Sequence, residues 1–388
     1  MRKSLSKAKD FLVSLLKNAG LYVHIPFCDH KCIYCDFYSI IKEDNKSLYL
    51  TCLKNEIEHF SEIFSKTHKF DTIYFGGGTP SLVEPEYLGS IINHLKQNFF
   101  VSSDAEITME TNPGTVDLEK LRQFRRIGIN RISIGIQSFD EDDLKFLTRI
   151  HSAESAIQTV KDAQNAGFTD ISLDLIFNLP GQSKEKWLRN LEIAATLPIT
   201  HISAYSLILE RGTILNKMVL KGEVEMQDEE IDSELYEITM DFLAEKGFEH
   251  YEVSNYCKPG FECRHNQIYW DCKNYLSFGT SAHSYMDGER WWNYSALSIY
   301  NAAVQKRNEA VAGSEKLSEN DLYEESIMLG LRSRGLCLDS PEMQDWYAGR
   351  RLIIDGLISA GKVCLEGNNL KLTRNGFLVC DEIVERLL

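Results

Sequence analysis

Between residues 21 and 207 the sequence alternates six times between a short apolar run and a longer helical pattern, and few architectures accept that alternation. The runs are LYVHI (21–25), TIYF (72–75), AEITME (105–110), RISIGI (131–136), ISLDLIF (171–177) and HISAYSL (201–207). Helical periodicity fills 46–65, 85–98, 117–127, 141–148, 153–166 and 184–195. Strands separated by helices imply a parallel sheet with right-handed crossovers, so the fold class is α/β. Six units are too few for a closed eight-stranded barrel. The pattern leaves an open, partial barrel and a doubly wound sheet as alternatives.

The texture changes after about residue 215. Acidic helical sequence runs from 228 to 246, and a stretch dense in aromatic and polar residues follows. Residues 320–388 read as helices plus a hairpin, with Gly367, Asn368 and Asn369 as the turn inside VCLEGNNLKLT. A helix on each side of the hairpin suggests a winged-helix-like unit. The expected division is an N-terminal segment 1–20, a core 21–248 and a C-terminal α+β part 249–388. The net charge of −15 argues against nonspecific nucleic-acid binding, which needs clustered Lys and Arg. The basic cluster Arg2, Lys3, Lys7, Lys9 and Lys17 reads as a first helix, since its apolar run is too short for a signal peptide. No apolar run reaches the roughly 18 residues of a membrane span. Ten cysteines without a secretion signal point to a reducing compartment, hence a cytoplasmic location.

Three of those cysteines, Cys28, Cys32 and Cys35, follow the first strand in CDHKCIYCDF. Strand C-terminal ends form the ligand face of a parallel α/β protein. This spacing lets one short loop wrap an iron–sulfur cube and hold three of its irons, leaving the fourth open to a ligand. Structural zinc, recruiting His24 or His30, and three packed thiols are the other readings. Further chemistry-bearing residues fall on later strand ends. Gly76, Gly77 and Gly78 follow TIYF and allow close backbone approach to a ligand or a tight turn. Glu110 and Asp174 are charges on buried strands and need partners or ligands, an internal salt bridge to Arg131 or Arg149 among them.

YVHIPFCDHKCIYCDFYS resembles the radical S-adenosylmethionine (SAM) signature, with the opening of the HemN-like branch. That resemblance implies a partial barrel of six βα units, a [4Fe-4S] cluster, and SAM bound to the open iron and cleaved by one electron. It implies SAM contacts at Tyr22, Gly77, Gly78, Thr79, Glu110, Gln137, Arg149 and Asp174. Within the branch, the oxygen-independent coproporphyrinogen oxidases carry a further cysteine where this chain has Phe37, and a longer N-terminal extension. Both departures match the HemW group of heme chaperones, as do DAEITMETNPGT, NRISIGIQSF and KPGFECRHNQIYW. The group's HNxxY motif is His265, Asn266 and Tyr269 here, so the resemblance implies a heme contact at those residues. Read on its residues alone, His265 is a hydrogen-bonded structural histidine.

The resemblance therefore implies a chaperone that binds cluster, SAM and heme and delivers heme to respiratory hemoproteins. In such a protein the cluster supports a homodimer or senses state rather than turning over substrate. The alternatives are oxidative decarboxylation of coproporphyrinogen III in porphyrin biosynthesis, and radical chemistry on another substrate. Cys257, Cys263 and Cys272 surround the HNxxY segment and read as packing thiols. Cys52, Cys337, Cys364 and Cys380 read as core.

Overall fold

The computed structural model describes residues 16–41 and 46–388, so all of the expected N-terminal helix up to residue 15 lies outside the described residues, while Lys17, counted in its basic cluster, opens a strand. The six expected strands are present as β1 (Lys17–Ile25), β2 (His68–Gly77), β3 (Phe100–Thr111), β4 (Arg131–Gln137), β5 (Asp170–Phe177) and β6 (His201–Ser206). All five neighbouring pairs are parallel and in chain order, β1-β2-β3-β4-β5-β6. Sequential order has no reversal point, so right-handed crossovers place every helix on one face and the sheet curls with that face outward. The doubly wound alternative is thereby excluded, and the fold is a radical-SAM-type partial barrel.

Side-chain chemistry starts the crossover helices at the right places. Asp117, Asp140, Ser152 and Ser183 each accept a backbone N–H from the first turn that follows them. The apolar strand residues Leu21, Ile73, Ile107, Ile132, Leu173 and Ile202 are all buried in one continuous core.

The aromatic stretch after 248 does not form a separate layer. It extends the same sheet at both edges. On one side β7 (Glu249–Glu252) and β8 (Asn255–Cys257) follow β6, with β8 antiparallel to it. On the other, β9 (Asn274–Phe278) pairs parallel with β1, and β10 (His283–Met286), β11 (Glu289–Asn293) and β12 (Val311–Lys316) continue outward. Trp291 stacks on Phe60 and Phe64, at ring separations of 5.6 and 6.1 Å, so it serves as core.

This added edge is fixed by a buried carboxyl. Glu56, on the helix Lys46–Phe64, accepts from Tyr300 Oη (2.6 Å), Asn293 Nδ2 (2.6 Å) and the Gly279 amide (2.9 Å). Burial pushes its pKa up to about 7, against the pull of those donors. The folded chain then keeps a proton between about pH 4.5 and 7 that the unfolded chain releases, so stability falls as pH rises through that window. Glu56→Gln is expected to flatten this part of a melting-temperature profile taken from pH 5 to 8, removing on the order of 1–3 kcal/mol of pH dependence. An unchanged slope would contradict the assignment.

The C-terminal unit has its own core of Ile327, Leu331, Trp346, Ile354, Leu357, Leu370 and Ile383. Its hairpin joins Val363–Glu366 to Asn369–Leu372 through a two-residue loop, Gly367–Asn368, with Gly367 at φ 61°. Asn369 is thus a strand residue rather than part of the turn. Leu336–Cys337 adds a third strand, and Cys337 is exposed there rather than in the core. Arg374 ties the unit to the barrel by a bidentate contact with Asp241 (2.6 and 2.7 Å).

Candidate functional site

The cysteines sit on a loop whose two ends, at residues 26–28 and Ile40, are held together by backbone bonds. Ile40 donates to the Pro26 carbonyl (2.7 Å) and Cys28 to the Ile40 carbonyl (3.0 Å), so residues 28–40 leave and re-enter at one point. The glycine loop after β2 runs directly beside this base. Gly78 donates to the Ile25 carbonyl (2.8 Å) and Thr79 to that of Phe27 (2.7 Å). Such contact needs glycine. A methyl group on Gly78 would lie 2.6 Å from the Phe27 carbonyl oxygen, and one on Gly77 would lie 2.5 Å from the His24 ring. Gly77 also has φ +111°, a conformation that side chains disfavour.

Cys28, Cys32, Cys35, Gly77, Gly78, Thr79, Glu110, Gln137, Arg149 and Asp174 all line one cavity of about 500 Å³ at the C-terminal ends of the strands. Those ten residues come from six separate chain segments. Gln137 and Thr148 both line it with left-handed backbones, at φ 72° and 56°. Non-glycine residues held in that region concentrate where function constrains the chain. Phe37 also lines the cavity and is 62% exposed at its rim.

Neither buried carboxylate takes the arginine partner that sequence suggested. Glu110 accepts from Tyr74 Oη (2.9 Å) and the Gly77 amide (3.2 Å). Burial pushes its pKa up to about 7, and the nearby Asp174 charge adds to the rise. Asp174 accepts from Ser133 Oγ (3.0 Å), and burial raises its pKa too. Arg131 instead faces Asp170 at 3.6 Å. Both carboxyls therefore line the cavity without a neutralising side chain, ready for a cationic or hydrogen-bond-donating ligand.

Arg149 is the opposite charge in the cavity. Its Nη2 donates to Asn112 Oδ1 (2.7 Å) and to the Gly135 carbonyl (2.6 Å), and its Nη1 to Cys32 Sγ (3.6 Å). Its Nε is buried and has no hydrogen-bond partner. Asn112 also donates to Thr79 Oγ1 (2.9 Å), and Thr79 Oγ1 lies 3.3 Å from Cys28 Sγ. Asn112 was not singled out in the sequence. The only local signal is the Asn-Pro-Gly turn after β3, and its side-chain bonding partners come from two distant segments.

The donor set fits an iron–sulfur cube held at three corners. Three thiols on one loop line a cavity that also carries the Arg149 guanidinium and the Glu110 and Asp174 carboxyls. Zinc with His24 does not fit, because both ring nitrogens are engaged, with the Tyr38 carbonyl (3.0 Å) and Tyr22 Oη (3.2 Å). Tyr22 itself is not among the lining residues. It lies further down β1, stacked on Tyr74 at 6.1 Å.

The HNxxY residues are elsewhere. The helix Arg264–Trp270 packs against β1 and β2 near Gly20, where a methyl group would sit 2.6 Å from Ile268. Gly20 is five residues below the end of β1, on the order of 16 Å from the cysteine loop. Glu106 caps this helix, accepting from the Arg264 (2.8 Å) and His265 (3.0 Å) amides, a favourable place for a carboxylate. His265 is 1% exposed, with Nδ1 2.7 Å from Thr72 Oγ1 and Nε2 2.9 Å from Tyr269 Oη. Burial pulls its pKa down to about 3, so the ring is neutral. Asn266 is half-buried on the same helix.

Comparison with known proteins agrees with this architecture. The radical SAM superfamily profile matches residues 22–194, and the HemN C-terminal domain profile matches 317–379. The heme chaperone HemW of Mycobacterium tuberculosis is 34% identical over 374 residues, covering 95% of this chain and 94% of that protein. The heme chaperone HemW of Lactococcus lactis is 33% identical, covering 96% and 98%. Among solved structures, the coproporphyrinogen III oxidase HemN of Escherichia coli superposes with a TM-score of 0.82 at 23% identity, covering 98% of this chain and 93% of that one. At that identity the likeness to HemN speaks for the fold.

Proposed function

Because the chain belongs to the HemW family within the radical SAM superfamily, we propose that it is a heme chaperone that holds a [4Fe-4S] cluster and SAM and passes heme to respiratory hemoproteins. The observation that carries the first half is the convergence of ten residues, picked out by sequence, on one cavity. Cys28, Cys32 and Cys35 would hold the cluster, which when reduced supplies an electron to SAM. The chain's own residues position that ligand. The Arg149 guanidinium lining the cavity offers positive charge to its carboxylate, and Glu110 offers an acceptor to its amino group. With a pKa of about 7, Glu110 is poised to lose its proton when a cation binds beside it. Gly77 and Gly78 let the ligand approach the backbone. The exposed rim residue Phe37, standing where the porphyrinogen-decarboxylating relatives have a cysteine, supports the chaperone reading over the enzymatic one.

Heme binding through the HNxxY segment is the second half. The setting of His265 constrains how this could happen. If Thr72 Oγ1 accepts from Nδ1–H, Nε2 is the nitrogen free for iron, and Tyr269 now occupies it. Ligation then requires Tyr269 to leave, at a cost on the order of 1 kcal/mol for one buried hydrogen bond. The ring would keep its Thr72 anchor. The location that goes with this reading is the cytoplasm, which its ten cysteines and its bacterial relatives support. No helix among the described residues is long and apolar enough to cross a membrane.

The test is a heme titration of anaerobically reconstituted protein, followed in the Soret band. Wild type is expected to saturate near one heme per chain. His265→Ala is expected to bind at least tenfold more weakly and to melt lower, by about 2–4 kcal/mol of stability for a fully buried, doubly bonded ring. Unweakened binding would remove His265 from the site. Absence of saturable binding in wild type would sink the chaperone reading.

A further inference from the structure

Two of the three cluster cysteines are joined through a single carboxamide. The path runs Cys28 Sγ–Thr79 Oγ1 (3.3 Å), Thr79 Oγ1–Asn112 Nδ2 (2.9 Å), Asn112 Oδ1–Arg149 Nη2 (2.7 Å) and Arg149 Nη1–Cys32 Sγ (3.6 Å). The direction of each bond is fixed except at Cys28, where either atom can donate while the cysteine is a thiol and only Thr79 can once it is a thiolate. A guanidinium has no acceptor, so Asn112 must present its oxygen to Arg149 and its NH₂ to Thr79. The Thr79 oxygen, having accepted from Asn112, has its one proton left for Cys28. Arg149 Nη2 is pinned between Asn112 and the Gly135 carbonyl, which leaves Nη1 aimed at Cys32. Asn112 thus turns one donor toward each thiolate and touches neither.

The backbone makes room for this residue. A methyl group on Gly135 would lie 2.9 Å from Asn112 Oδ1 and 3.0 Å from Gln137 Nε2. Any larger residue at 135 would push the carboxamide out of the bridge. Asn112 comes from the turn after β3, Thr79 from the loop after β2 and Arg149 from the segment after β4. The three crossover loops therefore meet at this side chain.

We propose that Asn112 is a positioning residue that sets the reduction potential of the cluster, by fixing the Thr79 hydroxyl and the Arg149 guanidinium as hydrogen-bond donors to Cys28 and Cys32. Donors to the ligating sulfurs stabilise the more negative, reduced cluster and raise its potential. Removing the carboxamide releases both donors at once. This rests on the assignment of the cluster to the three cysteines.

The test is an EPR-monitored redox titration of the reconstituted full-length protein, with iron and sulfide assayed in the same samples. Asn112→Leu is expected to load iron as wild type does. Its reduced-to-oxidised ratio at a fixed ambient potential should fall roughly tenfold, 59 mV for a one-electron couple. Thr79→Val should lower the ratio in the same direction, and Thr79→Ser, which keeps the hydroxyl, should restore it. The double variant Asn112→Leu/Thr79→Val should shift by less than the sum of the two, since both act on one donor. A wild-type potential in Asn112→Leu overturns the proposal. Should Asn112→Leu fail to load, Thr79→Val decides: an unshifted potential there overturns the proposal equally. Wild type that loads no iron would instead defeat the cluster assignment, and this proposal with it.

Discussion

A chain with Cys28, Cys32 and Cys35 all replaced by alanine is expected to leave anaerobic reconstitution with iron at background, against about four irons per chain in wild type. The argument is one of ligand supply. The three thiols are the loop's whole complement, because the position two beyond Cys35 is Phe37. Cys28 and Cys35 are also poor thiolates without metal, since burial raises both pKa values. They are thus held as thiols until a cation takes the proton's place. The protein itself should persist. The base of the loop is closed by backbone bonds at residues 26–28 and 40, which alanine leaves intact. The melting temperature of the metal-free triple variant should therefore match metal-free wild type, with less than about 1 kcal/mol of difference. SAM affinity, read by calorimetry, should fall with the iron. Retention of iron by the triple variant would locate the cluster elsewhere, and zinc in place of iron in wild type would refute it.

Gly77→Ala is expected to cost about 2–5 kcal/mol. Two causes add. The residue sits at φ +111°, where a side chain costs on the order of 1–2 kcal/mol. The new methyl would lie 2.5 Å from the His24 ring, an overpacking of about 1–3 kcal/mol. His24 cannot turn aside cheaply, because both its nitrogens are bonded. Gly167→Ala separates the causes. Gly167 also has positive φ, 94°, but its methyl would meet nothing within 4 Å, so only the backbone term should remain, about 1 kcal/mol. Chemical denaturation of the two variants gives the comparison. Equal losses would mean that the His24 contact is relieved by backbone movement.

The core of this fold was legible because buried parallel strands read as apolar runs. LYVHI, TIYF and ISLDLIF each fall within an observed strand, and the crossover helices agree to within two residues. The strands extend further at their N-terminal ends, as in Lys17–Ala19 and Phe100–Asp104, where polar residues hid the pairing. The edges were not legible. β8 to β12 are short and partly polar, and nothing in local periodicity says that 274–278 pairs with β1. The site was legible where chemistry imposes residue type, as for cysteines at fixed spacing and glycines at close approach. Asn112 was not, because its role lies in partners brought from other loops. The reading of His265 as a hydrogen-bonded structural histidine holds, but its partners were not legible, since Glu106 and Thr72 come from two other strands.

The pairing of β1 with β9 has a temporal consequence during synthesis. The strand that carries the cysteine loop leaves the ribosome ahead of β2 to β12, yet its second neighbour is about 250 residues away. At roughly 5–20 residues per second, that neighbour arrives on the order of 10–50 seconds later. Throughout the interval β1 offers an open backbone edge to any nascent chain nearby. A cluster inserted in that time would be carried by the least finished part of the protein. The order of translation therefore favours metal loading after release, when the last-made strands have closed over the first.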